Sequence, residues 1–166
     1  SGASLWQFLP ASPTGPGASP YAGLSAFAGN PTWISPERMA QEGLLAPGDL
    51  DAIPAHAEGR FDPAAAAEAR DGALRRAWRR FREGGPAGAR RDFDAFRDSP
   101  GQAGWLPDWT LFAALSAKFR DAGWIHWPAD LAFRDPEALD RARRDLAEEI
   151  DFHRFVQFVF DRQWSA

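Results

Sequence analysis

The sequence predicts a mainly α-helical chain with a single buried β-strand near its start. Apolar residues recur at helical spacing after residue 35, a short and nearly continuous apolar run lies at Leu5–Leu9, and a loop rich in Pro, Gly and Ser follows that run. Apolar positions three or four residues apart indicate amphipathic helices, whereas a short unbroken apolar run bounded by turn residues fits a strand buried on both faces.

Composition excludes several classes of function. The chain has 166 residues, a net charge of -4 and no cysteine, and its three histidines lack metal-ligand spacing. No apolar run reaches the roughly 18 residues of a membrane span. We therefore expect no metal site, no nucleic-acid partner and no membrane association.

The usage of basic and aromatic residues also indicates the kind of organism that the protein comes from and the kind of molecule that it binds. Lys118 is the only lysine beside 18 arginines, and no signal peptide is recognisable, which together predict a bacterial cytoplasmic protein. The chain has 13 Phe and 8 Trp but one Tyr. Most large aromatic side chains fill cores, but sugar rings also stack on them, so the count mildly favours a carbohydrate partner.

The apolar run Leu5–Leu9 ends at Pro10, and residues 10–20 are almost entirely Pro, Gly, Ser, Ala and Thr. Such a stretch cannot continue as helix or strand. Long loops that follow buried strands are where barrel enzymes hold their binding residues, so we interpret residues 10–31 as a candidate binding loop.

Five helices are predicted after this loop. Their signals are Ser35-Pro36, Asp62-Pro63, the pair Phe93 and Phe96, the stretch Trp105–Ala122 closed by Gly123, and a long helix from Asp135-Pro136 to Trp164. The segment Trp124–Pro128 is expected to pin the fourth helix against a neighbour. From Phe152 the last helix is apolar around most of its circumference, which indicates that sequence beyond this chain completes its environment.

An arginine-rich segment supports an alternative function. Eight arginines lie between Arg70 and Arg91, with Trp78 and Phe81 among them. Interleaved arginine and aromatic residues can bind single-stranded nucleic acid, so the chain could be a non-catalytic helical interaction module. The other interpretation is that these arginines form the outward face of an amphipathic helix.

Several blocks near the start resemble one family signature. They are Leu5-Trp6-Gln7-Phe8-Leu9-Pro10, Pro13-Thr14-Gly15, Ser19-Pro20-Tyr21 and Ser25-Ala26-Phe27-Ala28-Gly29-Asn30-Pro31. In this order they closely resemble the amylomaltases, or disproportionating 4-alpha-glucanotransferases, of glycoside hydrolase family 77. Residues 152–164 look like the return of the same family's helical insertion, so the resemblance covers essentially the whole chain.

The resemblance implies an internal fragment of a (β/α)8 TIM barrel. In that interpretation residues 1–34 are a barrel strand and substrate-side loop, residues 35–134 are a helical insertion subdomain, and residues 135–166 are a long helix returning to the barrel. Such enzymes pass α-1,4-glucan segments to the 4-hydroxyl of glucose or another glucan by a retaining double displacement, without a cofactor. The implied partners are a maltooligosaccharide and the remainder of the barrel.

The same resemblance suggests two substrate-binding residues. Tyr21 matches an aromatic residue of the donor subsite, and Ser19 matches a residue near the sugar hydroxyls. Ala18 and Ala22-Gly23 depart from the family pattern. Retaining chemistry needs two carboxyl groups about 5–5.5 Å apart, and we find no such pair here, so no catalytic residue is expected and the chain alone should be inactive.

Overall fold

The structure is a computed structural model that describes residues 2, 4–5, 7–15, 17, 19–51, 53, 62–120 and 123–165. Over these residues it contains eight α-helices, three single-turn 3-10 helices and no β-strand. The α-helices are α1 (Pro36–Gln41), α2 (Pro63–Arg82), α3 (Ala89–Arg97), α4 (Pro100–Ala103), α5 (Leu106–Lys118), α6 (Ala129–Ala132), α7 (Pro136–Asp145) and α8 (Ala147–Trp164). The 3-10 turns are Pro31–Trp33, Pro47–Asp49 and Trp124–His126. The mainly α prediction is confirmed.

Three helices begin where their capping residues predict. The side chains of Ser35, Asp62 and Asp135 accept hydrogen bonds from backbone amides two or three residues later, and a proline occupies the next position in each case. These oxygens satisfy amide groups that have no partner within the helix, and proline lacks an amide that would need one.

The larger of two hydrophobic cores forms around α8. The ring of Phe155 lies 5.0 Å from that of Phe81 and 5.4 Å from that of Trp78, both on α2. On the next side, Phe158 meets Phe93 of α3 at 5.6 Å, edge to face. Helices α2 and α3 therefore pack against neighbouring faces of α8, which explains why its central part is apolar nearly all round.

The second core joins α5, α7 and the start of α8. Leu111 and Leu115 of α5 pack with Leu139 of α7 and Ile150 of α8. Trp127 closes this core, with its ring 5.6 Å from Phe112 and 5.7 Å from Phe119. The prediction that the Trp124–Pro128 segment pins this helix is confirmed for Trp127, whereas Trp124 and Ile125 are exposed.

The predicted single C-terminal helix is two helices. Leu146 has φ -111° and ψ 19°, which ends α7, and α8 begins at the next residue. Leu139 and Ala142 of α7 serve the second core, whereas Phe152 onward serves the larger one. The break separates α7, which packs in the second core, from α8, whose first turn reaches that core through Ile150 and whose remainder packs in the larger one.

The fourth predicted helix ends earlier than expected. Helix α5 stops at Lys118, and Arg120, with φ 54°, takes the left-handed conformation that we assigned to Gly123. Gly123 has φ -53° and precedes the Trp124–His126 turn. The prediction of Gly123 as the cap is therefore wrong, because arginine accepts a position that glycine usually fills.

The predicted strand Leu5–Leu9 is not formed in the described residues, and its Trp6 lies outside them. Leu5 is 92% exposed, and Phe8 and Leu9 are about half exposed. A strand needs neighbouring strands to accept and donate its backbone hydrogen bonds, and the described residues provide none. The only pairing of strand type in this part of the chain is an isolated bridge between Thr14 and Gly23.

Candidate functional site

The candidate binding loop doubles back on itself at its tip. The amide of Gly15 donates a hydrogen bond to the carbonyl of Ala22 at 3.2 Å. The amide of Ala22 donates to the carbonyl of Ser19 at 3.1 Å. Tyr21 lies on this turn and is 82% exposed, while Ser19, at the start of the turn, is half-buried. The structure therefore brings both predicted binding residues to one turn and leaves the tyrosine ring open to solvent.

The base of the loop is fastened to α8 by Gln157. This side chain is 3% exposed, and its Oε1 accepts a hydrogen bond of 2.8 Å from the amide of Gly29. Its Nε2 donates to the carbonyl of the same glycine at 3.0 Å. Both polar groups of the glutamine are thus satisfied by one backbone residue, as burial of an amide requires.

Close approach of the loop to α8 requires glycine at this point. A Cβ added to Gly29 would lie 2.1 Å from the ring of Phe160, far inside contact distance. Phe160 in turn stacks on Trp164 with ring centroids 5.7 Å apart. The backbone at residue 29 therefore rests directly on an aromatic ring.

A second glutamine repeats the arrangement six residues further along both segments. Oε1 of Gln163 accepts from the amide of Ser35 at 2.7 Å, and its Nε2 donates to the Ser35 carbonyl at 3.1 Å. Arg38 adds a hydrogen bond of 2.9 Å to the Gln163 carbonyl. We call Gln157 and Gln163 the glutamine clamp. Our sequence analysis missed it, although glutamine within the apolar run of α8 was a usable signal, since a buried amide must be hydrogen-bonded.

A groove of about 530 Å³ runs between the loop and α8. Its walls are aromatic: Phe27 lies nearly parallel to Trp105, with ring centroids 6.3 Å apart, and Trp164 also contacts Phe8 and Trp33. Ser19 and Tyr21 do not line this groove.

Asp161 is the acidic residue among the described residues that line the groove. Partial burial raises the pKa of its carboxyl group above the ordinary value. One carboxyl group cannot serve both as nucleophile and as acid/base partner in a retaining reaction, because the two roles need two groups about 5–5.5 Å apart. The groove by itself does not provide that pair.

Comparison with known proteins decides the family. The Glyco_hydro_77 family model, described as 4-alpha-glucanotransferase, matches residues 1–166, the whole chain. The chain belongs to the 4-alpha-glucanotransferase family.

Individual relatives of this chain support the same family assignment. It is 40% identical to the 4-alpha-glucanotransferase of Synechocystis over 162 residues, which is 98% of this chain and 32% of that protein. It is also 40% identical to the Thermus thermophilus 4-alpha-glucanotransferase over 166 residues, 100% of this chain and 32% of the relative. The amylomaltase from Streptococcus agalactiae in complex with acarbose superimposes with TM-score 0.82 at 30% identity, covering 96% of this chain and 32% of that one. The chain spans about a third of the length of these relatives.

Two acidic residues of α8, Glu148 and Glu149, form ion pairs with arginines of α2. Glu149 meets His153 at 3.4 Å and accepts hydrogen bonds from Arg75 of α2 at 2.7 and 3.1 Å. Its interactions with His153 and then with Arg75 lower the pKa of Glu149 to about 2. Glu148 pairs with Arg82. These two carboxylates pair with arginines of α2 and so link α8 to that helix.

The arginine-rich segment gives no support to the nucleic-acid alternative. Arg76 pairs with Asp49 at 3.4 Å, and Arg80 donates to the carbonyl of Gly43 at 3.0 Å. Arg90 lies over the ring of Phe81, 4.4 Å from its centroid. Much of the positive charge is therefore committed within the chain, as the amphipathic-helix interpretation expects.

The described part of the chain also bears on metal binding and on insertion into a membrane. There, no group of three His, Cys, Asp or Glu side chains is placed to hold a metal ion, and His56 lies outside the described residues. No described helix is long and apolar enough to cross a membrane.

Proposed function

We propose that this chain is the donor-side part of a 4-alpha-glucanotransferase that moves α-1,4-glucan segments to the 4-hydroxyl of glucose or another glucan by a retaining double displacement. The observation that carries the proposal is the match of the family model to all 166 residues. The Streptococcus agalactiae amylomaltase, whose fold this chain shares over 96% of its length, is in complex with acarbose, and this supports a glucan-like ligand.

Tyr21 and Ser19 are the residues that we propose to contact the donor glucan. The exposed tyrosine ring offers an apolar face to the C–H groups of a pyranose ring, and its hydroxyl group can bond to a sugar oxygen. Ser19 lies on the same turn, so its hydroxyl can meet the sugar edge. The glutamine clamp supports this role because it anchors the loop base on a rigid helix.

We further propose that residues 1–34 join a (β/α)8 barrel in the whole protein, with residues 35–134 as its helical insertion and residues 135–166 as the return. The open apolar side chains of Leu5, Phe8 and Leu9 support this assignment, since neighbouring strands would cover them. The catalytic carboxylates would then lie on other strands of that barrel. Cytoplasmic location in a bacterium belongs to the same proposal.

The test is maltotriose disproportionation by the complete enzyme that contains this chain, comparing Tyr21→Ala with the parent. Loss of one stacking contact, about 1–1.5 kcal/mol, should lower kcat/KM by about tenfold. Tyr21→Phe should retain most activity if the ring matters more than its hydroxyl group. Unchanged kinetics in Tyr21→Ala would remove this residue from the donor site.

Phe133→Ala is the matched control, because Phe133 is an exposed aromatic residue at the end of α6. Its kinetics should equal those of the parent. The purified 166-residue chain should release no glucose from maltotriose. Appreciable release by pure material would contradict the assignment of the catalytic acids to other parts of the enzyme.

A further inference from the structure

A second groove, of about 310 Å³, lies on the helical part of the chain. It is formed by α5, the Trp124–His126 turn, α6 and α7, and we call it the α5–α7 groove. Its volume is at the lower end of the range of about 300–1,000 Å³ found for small-molecule sites. Neither Tyr21 nor the candidate binding loop contributes to it.

The floor of the α5–α7 groove is apolar and its wall is an open aromatic ring. Leu111, Leu115 and Leu139 are buried beneath it, together with the indole of Trp127. Trp124 lines one side and is 54% exposed, and among the described residues no aromatic ring stacks on it. A half-open indole beside an apolar floor offers a continuous apolar surface to a ligand.

The rim of the groove carries an ion pair that faces solvent. Arg134 donates to Oδ2 of Asp108 at 3.0 Å, and Arg143 lies 4.0 Å from the other oxygen of the same carboxylate. The Asp108 and Arg134 side chains are more than half exposed, so lone pairs and N–H groups remain available to a ligand. Arg134 has φ 60°, a left-handed conformation that arginine rarely adopts.

We propose that the α5–α7 groove is a non-catalytic binding site for a short α-glucan. A pyranose ring has a C–H face that stacks on indole and an edge of adjacent hydroxyl groups that suits a planar carboxylate or guanidinium. The groove presents these features side by side, with Trp124 for the face and Asp108 and Arg134 for the edge. The choice of an α-glucan, rather than another sugar, depends on the proposed function.

The experiment follows the indole N–H signals of the 166-residue chain by two-dimensional NMR during titration with maltotriose. The Trp124 signal is identified by its disappearance in Trp124→Ala. We expect it to shift saturably with a Kd on the order of 1 mM. Absence of a saturable shift at roughly tenfold higher sugar concentration would overturn the site.

Two variants separate binding from folding. Arg134→Gly suits the left-handed backbone, so the helical circular dichroism should persist while affinity falls roughly fivefold through loss of a charge-assisted hydrogen bond. Phe133→Ala, next to it and outside the groove, should bind as the parent does. Equal affinity in Arg134→Gly and the parent would contradict the assignment of the rim.

The same titration distinguishes this inference from the donor-site proposal. Tyr21→Ala should leave the Trp124 shift intact, because Tyr21 does not line the groove. If Tyr21→Ala abolished the shift, the sugar would be binding at the loop and the groove site would fail. Conversely, a normal Trp124 shift with unaltered kinetics of Tyr21→Ala in the complete enzyme would reject only the donor-site role.

Discussion

Replacing Gln157 by leucine tests how firmly the candidate binding loop is held. The two side chains are similar in size, so the substitution removes the two hydrogen bonds of 2.8 and 3.0 Å without opening a large cavity. The amide and carbonyl of Gly29, both at a buried position, then lose their partners. The glutamine clamp would be broken at its more deeply buried end.

The expected loss follows from those two groups. Each unsatisfied buried group costs about 1–3 kcal/mol, while the apolar leucine side chain returns about 1 kcal/mol, which leaves a net loss of about 1–5 kcal/mol. The free energy of unfolding is measured by urea titration of the helical circular dichroism signal. Amide hydrogen exchange at Gly29 should accelerate in the same variant.

Two comparisons make the Gln157→Leu result interpretable. Gln41→Leu changes an exposed glutamine at the end of α1 and should alter stability by no more than about 0.5 kcal/mol. Gln163→Leu should cost about 1 kcal/mol, since water can reach the half-buried Ser35 groups. If Gln157→Leu matched Gln41→Leu both in stability and in Gly29 exchange, the clamp would have no energetic role.

Two further predictions concern packing and acid stability. Gly29→Ala should destabilise the fold by about 1–3 kcal/mol in the same urea assay, because the added Cβ would meet the Phe160 ring. Gly101→Ala is the control and should be neutral or stabilising, because a Cβ there meets nothing within 4 Å. Because the pKa of Glu149 is about 2, below its ordinary 4.5, its contribution is complete above about pH 4.5 and is lost as pH falls toward 2. Solvent screening limits that contribution to about 1 kcal/mol, so Glu149→Gln should flatten the acid decline of stability in the same urea assay.

Local chemistry explains most of what could be predicted from the sequence. Ser35, Asp62 and Asp135 cap helices with their own side chains, and that interaction involves only residues within one turn. The candidate residues Ser19 and Tyr21 were predicted from family blocks, and in the structure both lie on one turn. Their contact with a glucan stays a prediction.

Distant partners explain what could not be predicted. The Leu5–Leu9 segment has strand-like residues, but its state depends on neighbouring strands. The break at Leu146 falls where the chain passes from the second core to the larger one, and periodicity within one segment does not reveal which core a residue joins. Gln157 was missed because its partner, Gly29, lies 128 positions away.

That separation has a consequence for how the protein is made. At roughly 5–20 residues per second, a ribosome takes about 6–25 s to reach Gln157 after Gly29 has been synthesised. During that interval the backbone of Gly29, which is buried against α8 in the folded chain, lacks its hydrogen-bond partner. Completion of α8 is therefore the event that anchors the emerging segment.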